Sequence, residues 1–223
     1  MKRDYVAVIY DKKARPVTQY PDRLAEYLCQ RFSIAQKSKL LDVGFGRGDF
    51  LRAFARRGLE VAGVDQSTAA LEGCADLPVS RCNVGAEPLP FADASFDIVF
   101  HKSLLEHLNN PEPLMDETIR VLKPGGRLVA LVPDWISQKS IYYDDHTHQR
   151  PYTAVGLRDL MVITGFEGCE AELFYQLPPL WKYPFLKKFS RVIQLLVRPE
   201  HRPKIPYIRW SVELMILGSG KKP

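Results

Sequence analysis

The sequence predicts an α/β domain with a doubly wound, mostly parallel sheet, and three observations carry that expectation. Beyond the first 35 or so residues, short apolar runs alternate with longer stretches of helical periodicity, the rhythm of βαβ units. A glycine-rich loop follows the first of those runs, where an open α/β sheet leaves room for a ligand. A length of 223 residues, 46% of them hydrophobic, is enough to bury one sizeable core. A single domain over 1–223 is therefore expected, with an N-terminal helical segment at 1–37 and a basic insert at 176–208.

Lys39-Leu40-Leu41-Asp42-Val43 reads as the first strand. The helix after the glycine loop, 47–57, turns Phe50, Leu51 and Phe54 to one face, and Gly58 stops it. Residues 59–64 form a second strand ending at Asp65, and Ser67 is placed to N-cap a helix through Leu71. A third strand is expected over 78–82 and a fourth over 96–100. Pro111 and Pro113 open a helix running to Leu122, where a missing N–H costs nothing. Lys123-Pro124-Gly125-Gly126 breaks it, and 127–132 form a fifth strand that Pro133 ends. A helix over 153–164, stopped by Gly165, and strands near 170–175 and 211–217 complete the sheet.

Composition excludes several classes of protein. No apolar run approaches the roughly 20 residues of a membrane span, and the charged start at Lys2, Arg3 and Asp4 is unlike a secretory leader. Four cysteines lie scattered, without a paired spacing that would hold zinc, which fits reduced thiols and a cytoplasmic protein. Residues 181–210 hold eight Lys or Arg against one acid, Glu200, so this segment alone exceeds the chain's net charge of +5. Positive charge confined to one segment argues against a nucleic-acid partner and for a local surface or mouth.

The loop Asp42-Val43-Gly44-Phe45-Gly46-Arg47-Gly48 selects its ligand by spacing. A dinucleotide fingerprint requires glycine at position 49, and this chain has Asp49 there. Glycines at 44, 46 and 48 behind an acidic strand end suit a ligand with a cationic sulfonium and an α-amino group, which Asp42 attracts. Asp65, a strand away, can accept from both hydroxyls of a ribose, because an ionised carboxylate offers only acceptors.

Residues 39 to 133 resemble the "type 11" group of class I S-adenosylmethionine (SAM)-dependent methyltransferases. The resemblance rests on Leu41-Asp42-Val43-Gly44-Phe45-Gly46-Arg47-Gly48, Asp65-Gln66-Ser67, Glu87-Pro88-Leu89-Pro90-Phe91 with Ser95-Phe96-Asp97, Leu105-Glu106-His107-Leu108 and Val121-Leu122-Lys123-Pro124-Gly125-Gly126. It implies a Rossmann-like, seven-stranded sheet with an antiparallel last strand, and SAM as cofactor. It further implies that Gly44 and Gly46, with Phe45 and Gly48 beside them, meet the methionyl part, and that Asp65 and Gln66 meet the ribose. Adenine contacts are expected from Asn83 and Val84, where many relatives carry an aspartate, and His101 is expected to line the methionyl pocket or to be a solvated strand-end histidine.

The segment Asp144-Asp145-His146-Thr147-His148-Gln149-Arg150 follows the fifth strand and is the densest polar constellation in the chain. His146 or His148 is expected to take a hydroxyl proton, oriented by a neighbouring aspartate, with His148 preferred. Loop anchoring is the competing reading, and two histidines with unplaced carboxylates give thin grounds for a metal, so none is assigned. Glu106 and His107, adjacent on a helical segment, are set aside as catalysts because neighbours on a helix diverge. Phe185, Leu186, Phe189, Val192, Ile193, Leu196 and Val197 recur at helical spacing opposite Lys187, Arg191 and Arg198. That amphipathic helix, 185–198, is read as packed on the sheet, as a lid, or as a peripheral membrane contact. The expected function is O-methylation of a small-molecule or sugar or glycan-type hydroxyl. The alternatives are a SAM-binding sensor or partner-binding module without turnover, and N- or C-methylation of another small molecule.

Overall fold

The computed structural model describes residues 16–201 and 204–223; the first part of the expected N-terminal segment, 1–15, lies outside them. The order is α1 (Tyr20–Arg31), β1 (Lys39–Val43), α2 (Asp49–Arg56), β2 (Glu60–Asp65), α3 (Thr68–Gly73), β3 (Val79–Arg81), β4 (Phe96–Lys102), α4 (Glu112–Val121) and β5 (Leu122–Pro133). Then follow α5 (Trp135–Gln138), α6 (Ala154–Ile163), β6 (Glu167–Phe174), α7 (Pro178–Lys182), α8 (Lys187–Leu196), α9 (Pro206–Val212) and β7 (Met215–Lys221). Seven strands form one sheet in the order β3-β2-β1-β4-β5-β7-β6. The first five are parallel, and β7 runs antiparallel to both β5 and β6. The doubly wound expectation therefore holds, including the reversed last strand.

Successive residues of a strand face opposite sides, and both sides of this sheet are buried. Leu40, Ile98, Phe100, Val129 and Leu131 pack against Leu24 and Leu28 of α1 and Ala53 and Phe54 of α2. Leu41, Val43, Val99, Leu128, Ala130 and Val132 pack against Leu114 and Met115 of α4 and Leu157 and Met161 of α6. The cap read at Ser67 forms as expected, its side chain accepting from the Ala70 N–H at 3.0 Å, and Thr153 caps α6 in the same way, accepting from the Gly156 N–H at 3.1 Å.

The structure departs from expectation in three places. β5 begins at Leu122, which pairs with Phe96, and the register then shifts before Arg127 pairs with Ile98. The Lys123-Pro124-Gly125-Gly126 run is thus a bulge inside the strand, with Gly125 at φ +75°. Ser211 and Val212 belong to α9, and the last strand extends to Lys221 instead. The amphipathic helix forms as α8, but its seam is polar: Ser190 is buried against the Ser211 hydroxyl at 3.0 Å, and Gln194 donates to the Ser211 carbonyl at 2.8 Å. Its apolar stripe faces outward, with Phe189 60%, Val192 53% and Leu196 78% exposed. Packing of that stripe on the sheet is therefore corrected. No helix among the described residues is long and apolar enough to cross a membrane.

Candidate functional site

The C-terminal ends of β1, β2 and β4 and the loops after β3 and β5 enclose one cavity of about 650 Å³. Parallel strands of an open sheet all end on one edge, which gathers their following loops around a crevice.

Asp42 forms its floor. The alternation of β1 puts Asp42 on the α1–α2 side with Leu40, and its carboxylate is buried with Oδ2 unpartnered. Burial, reinforced by Asp65 and opposed by Lys102, pushes its carboxyl up to about 8. Asp65 is held rigidly: Oδ2 accepts from the Gly46 N–H at 2.8 Å and Oδ1 from the Ser67 N–H at 2.9 Å.

The glycine loop takes left-handed φ at Gly44 (+74°), Gly46 (+54°) and Gly48 (+77°). A Cβ on Gly46 would meet no protein atom within 4 Å, so it would project into open space. Gly44 lies on the cavity wall beneath Leu104, whose Cδ1 a Cβ there would approach to 2.9 Å. Gly48 is different: it is the αL N-cap of α2, packed on Cys74, and is not part of the wall. Phe45 borders the cavity but is mostly buried against Leu51, Ala70 and Cys74. Gln66, Asn83 and Val84 line it from the loops after β2 and β3.

His101 is the clear misplacement. Strand alternation sends Phe100 and Lys102 to the cavity and His101 to the α4 side, where its Nε2 lies 3.3 Å from the Thr118 hydroxyl. It is neither a pocket residue nor solvated, being 1% exposed, and burial pushes its imidazole down to about 3.

On the opposite flank, the loop after β5 is bound back onto the turn after β4: the Gln149 and Arg150 N–H groups both donate to the Glu106 carbonyl, at 2.8 and 3.1 Å. This closes the cavity with His107, Thr147 and Gln149. His148 stands behind His107, ring centroids 4.9 Å apart, while His146 is exposed and takes no part in the wall. The Glu106 side chain is fully buried; burial pushes its carboxyl up to about 8 against the pull of its own backbone N–H, Lys102 and Ser103. Sequence reasoning missed Lys102 and His107. The two-residue period from Phe100 points to the first. The second was dismissed as a helix neighbour, but Leu105–His107 is a single 3-10 turn, which permits both side chains to reach one loop.

Residues 41–130 match the family model described as a methyltransferase domain. That segment, 90 of the chain's 223 residues, is similar to a methyltransferase domain. It contains Asp42, the glycine loop, Asp65 and the Leu105–His107 turn. A methyltransferase from Mycobacterium sp. (strain JLS) is 36% identical over 99 residues, covering 44% of this chain and 39% of that protein. The demethylmenaquinone methyltransferase of Tropheryma whipplei is 34% identical over 109 residues, 45% of this chain and 44% of that one. The chain thus spans less than half the length of these curated relatives. Among solved structures, Haemonchus contortus phosphoethanolamine N-methyltransferase 2 in complex with S-adenosyl-L-methionine aligns with TM-score 0.63 and 24% identity, over 96% of this chain and 59% of that one. The [4+2]-cyclase SpnF aligns with TM-score 0.62 and 21% identity, over 91% and 80%. These likenesses fix the methyltransferase fold, and SpnF shows that the fold alone does not fix the chemistry.

Proposed function

We propose that this chain is a SAM-dependent methyltransferase acting on a hydroxyl of a small molecule or a sugar or glycan-type acceptor in the cytoplasm. One observation carries the reading: a single cavity joins Asp42, Gly46 and Asp65 on the β1–β2 flank to His107, Thr147 and Gln149 on the β5 flank. The donor fits what the first flank lacks. The orphaned Asp42 oxygen and the open space above Gly46 call for a cationic, hydrogen-bond-donating ligand held close to the main chain.

In this reading Asp42 attracts the amino group of the methionyl part, Gly44 and Gly46 admit it against the backbone, and Asp65 accepts from the ribose, with Gln66, Asn83 and Val84 beside the nucleoside. Bound SAM supplies an electrophilic methyl on a sulfonium centre. The chain's own work is to align an acceptor oxygen with that methyl and to remove its proton. The His107–His148 pair, with His107 on the wall, takes that proton in preference to exposed His146.

Thermal-shift titration tests the donor half: SAM and S-adenosylhomocysteine should raise the melting temperature, NAD should not, and Asp65→Ala should abolish the shift. Tritiated-methyl uptake over a panel of hydroxylated acceptors tests the rest. His107→Ala should keep the shift and lose uptake. Donor binding without uptake by any acceptor would favour the sensor reading.

The outward stripe of α8 favours a second feature, contact with an anionic membrane surface. Phe185, Phe189, Val192 and Leu196 recur at four-, three- and four-residue steps on one exposed face, with Lys187, Lys188, Arg191 and Arg198 flanking it. Co-sedimentation with anionic but not neutral vesicles is expected, and Phe189→Asp with Leu196→Asp should abolish it. Equal recovery from both vesicle types would refute it.

A further inference from the structure

A second constellation lies at the acceptor flank. Glu106, His107 and His148 each offer a ligand atom, and these atoms all lie within 4.8 Å of one another. Three ligands on one first-row cation with bonds of about 2.1 Å sit roughly 3–4 Å apart, so small side-chain rotations bring this set onto a single ion.

The hydrogen bond at His148 sets its tautomer. His148 Nδ1 lies 2.6 Å from the Tyr142 carbonyl, which can only accept, so Nδ1 carries the proton and Nε2 the lone pair. His107 Nδ1 lies 2.9 Å from the Thr147 hydroxyl, which also lies 2.6 Å from Asp145 Oδ1. An imidazole that donates one ring N–H to a carbonyl is the usual outer shell of a metal-ligating histidine, and His148 has that arrangement.

The independent observation is Glu106. Its side chain is fully buried, and neither carboxylate oxygen has a partner of hydrogen-bond geometry. A solvent-excluded carboxyl group beside two imidazoles, with neither oxygen partnered, is completed by a cation that replaces its proton.

We propose that Glu106, His107 and His148 form a binding site for one divalent first-row cation, of the zinc, manganese or iron class. Two nitrogens and one carboxylate leave coordination positions open, and since His107 is on the cavity wall an open position faces the acceptor space. A hydroxylated acceptor oxygen would fill it and become more acidic there; in the cation-loaded chain the two imidazoles are ligands and no longer take its proton, which passes to solvent. That last step rests on the methyl-transfer reading, whereas cation binding does not, and the two are tested apart.

Chelator-stripped full-length chain, without donor, is titrated with Co2+ and followed by its visible d–d absorption, then competed with Zn2+. One cation per chain is expected. His107→Ala, His148→Ala and Glu106→Gln should each weaken binding by at least about tenfold, the loss typical of a damaged metal shell, while His146→Ala leaves affinity unchanged. X-ray absorption of the Zn2+-loaded wild-type chain should show two imidazoles and at least one oxygen, a readout independent of whether any variant folds. Absence of stoichiometric binding by the wild-type chain, affinity unchanged in both His107→Ala and His148→Ala, or a shell without imidazole would overturn the site. Cation binding that persists while SAM produces no thermal shift would leave the site standing and sink the methyl-transfer reading instead.

Discussion

Asp42→Asn should make the donor-free protein more stable and the donor weaker. The carboxyl is pushed from 3.8 up to about 8 by burial and by Asp65. For an acid whose folded pKa is raised, the ionised form is the disfavoured one, so stability is greatest at low pH and falls as pH rises from about 4 towards 8. Each pKa unit corresponds to about 1.4 kcal/mol. At pH 7 the native state thus carries a penalty of roughly 4 kcal/mol, and at pH 5 one of roughly 2 kcal/mol. Asparagine removes the charge but brings N–H donors that need partners, at about 1–3 kcal/mol. The net gain at pH 7 is therefore roughly 1–3 kcal/mol, or about 2–10 °C for a chain of this length. The sharper quantity is the slope, because the amide's own cost does not vary with pH: the gap between variant and wild type should widen by roughly 2–3 kcal/mol from pH 5 to pH 7. Thermal or urea unfolding at several pH values measures it, and SAM titration on the same samples should show weakened binding. A gap that stays constant across that range, or a variant less stable than wild type at pH 8, would refute the argument that Asp42 is a buried, uncompensated charge awaiting a cation.

Gly46→Ala should fold at a cost of about 1–2 kcal/mol, the penalty of a left-handed L-residue, because its φ is +54° and its Cβ meets no protein atom. Its methyl occupies the cavity, so donor affinity measured by calorimetry should drop more than tenfold. His101→Leu should leave donor affinity within about twofold, since the imidazole lies behind the strand. Burial lowers that imidazole from 6.5 to about 3, so wild type loses stability as pH falls below 6.5 towards 3 while the leucine variant does not. Comparative melts between pH 7 and pH 4 should therefore show the wild type falling relative to the variant.

The sheet and the donor side were legible because their signals are local. Lys39 to Val43, the glycine spacing and Asp65 at a strand end are each short patterns with one structural meaning, and strand alternation places Asp42 inward. His101 was placed by resemblance alone: its position marks the strand's exit, but alternation from Phe100 and Lys102 turns its side chain to the other side of the sheet. The acceptor flank was only half legible. His148 belongs to a recognisable polar run, but its proximity to Glu106 and His107 depends on the Gln149 and Arg150 N–H groups meeting one carbonyl about 40 residues away, which no periodicity encodes. Helix α8 was found by its period and misoriented by it, because the Ser190 and Gln194 bonds to Ser211 outweigh burial of Phe189 and Leu196.

Phe174 and Met215 are paired neighbours on β6 and β7, so everything from 175 to 214 leaves and re-enters the sheet at nearly the same point. Much of it gathers around a small apolar cluster of its own, Leu177, Leu180 and Leu214 with Tyr207 and Trp210, and Trp181 ties its base to Tyr27 and Phe174. Such an excursion is topologically a long hairpin loop, whose closure entropy grows only slowly with length. It can be shortened, lengthened or exchanged while the adjoining strands keep their register. This excursion can therefore diversify without disturbing the strand ends and loops that line the cavity.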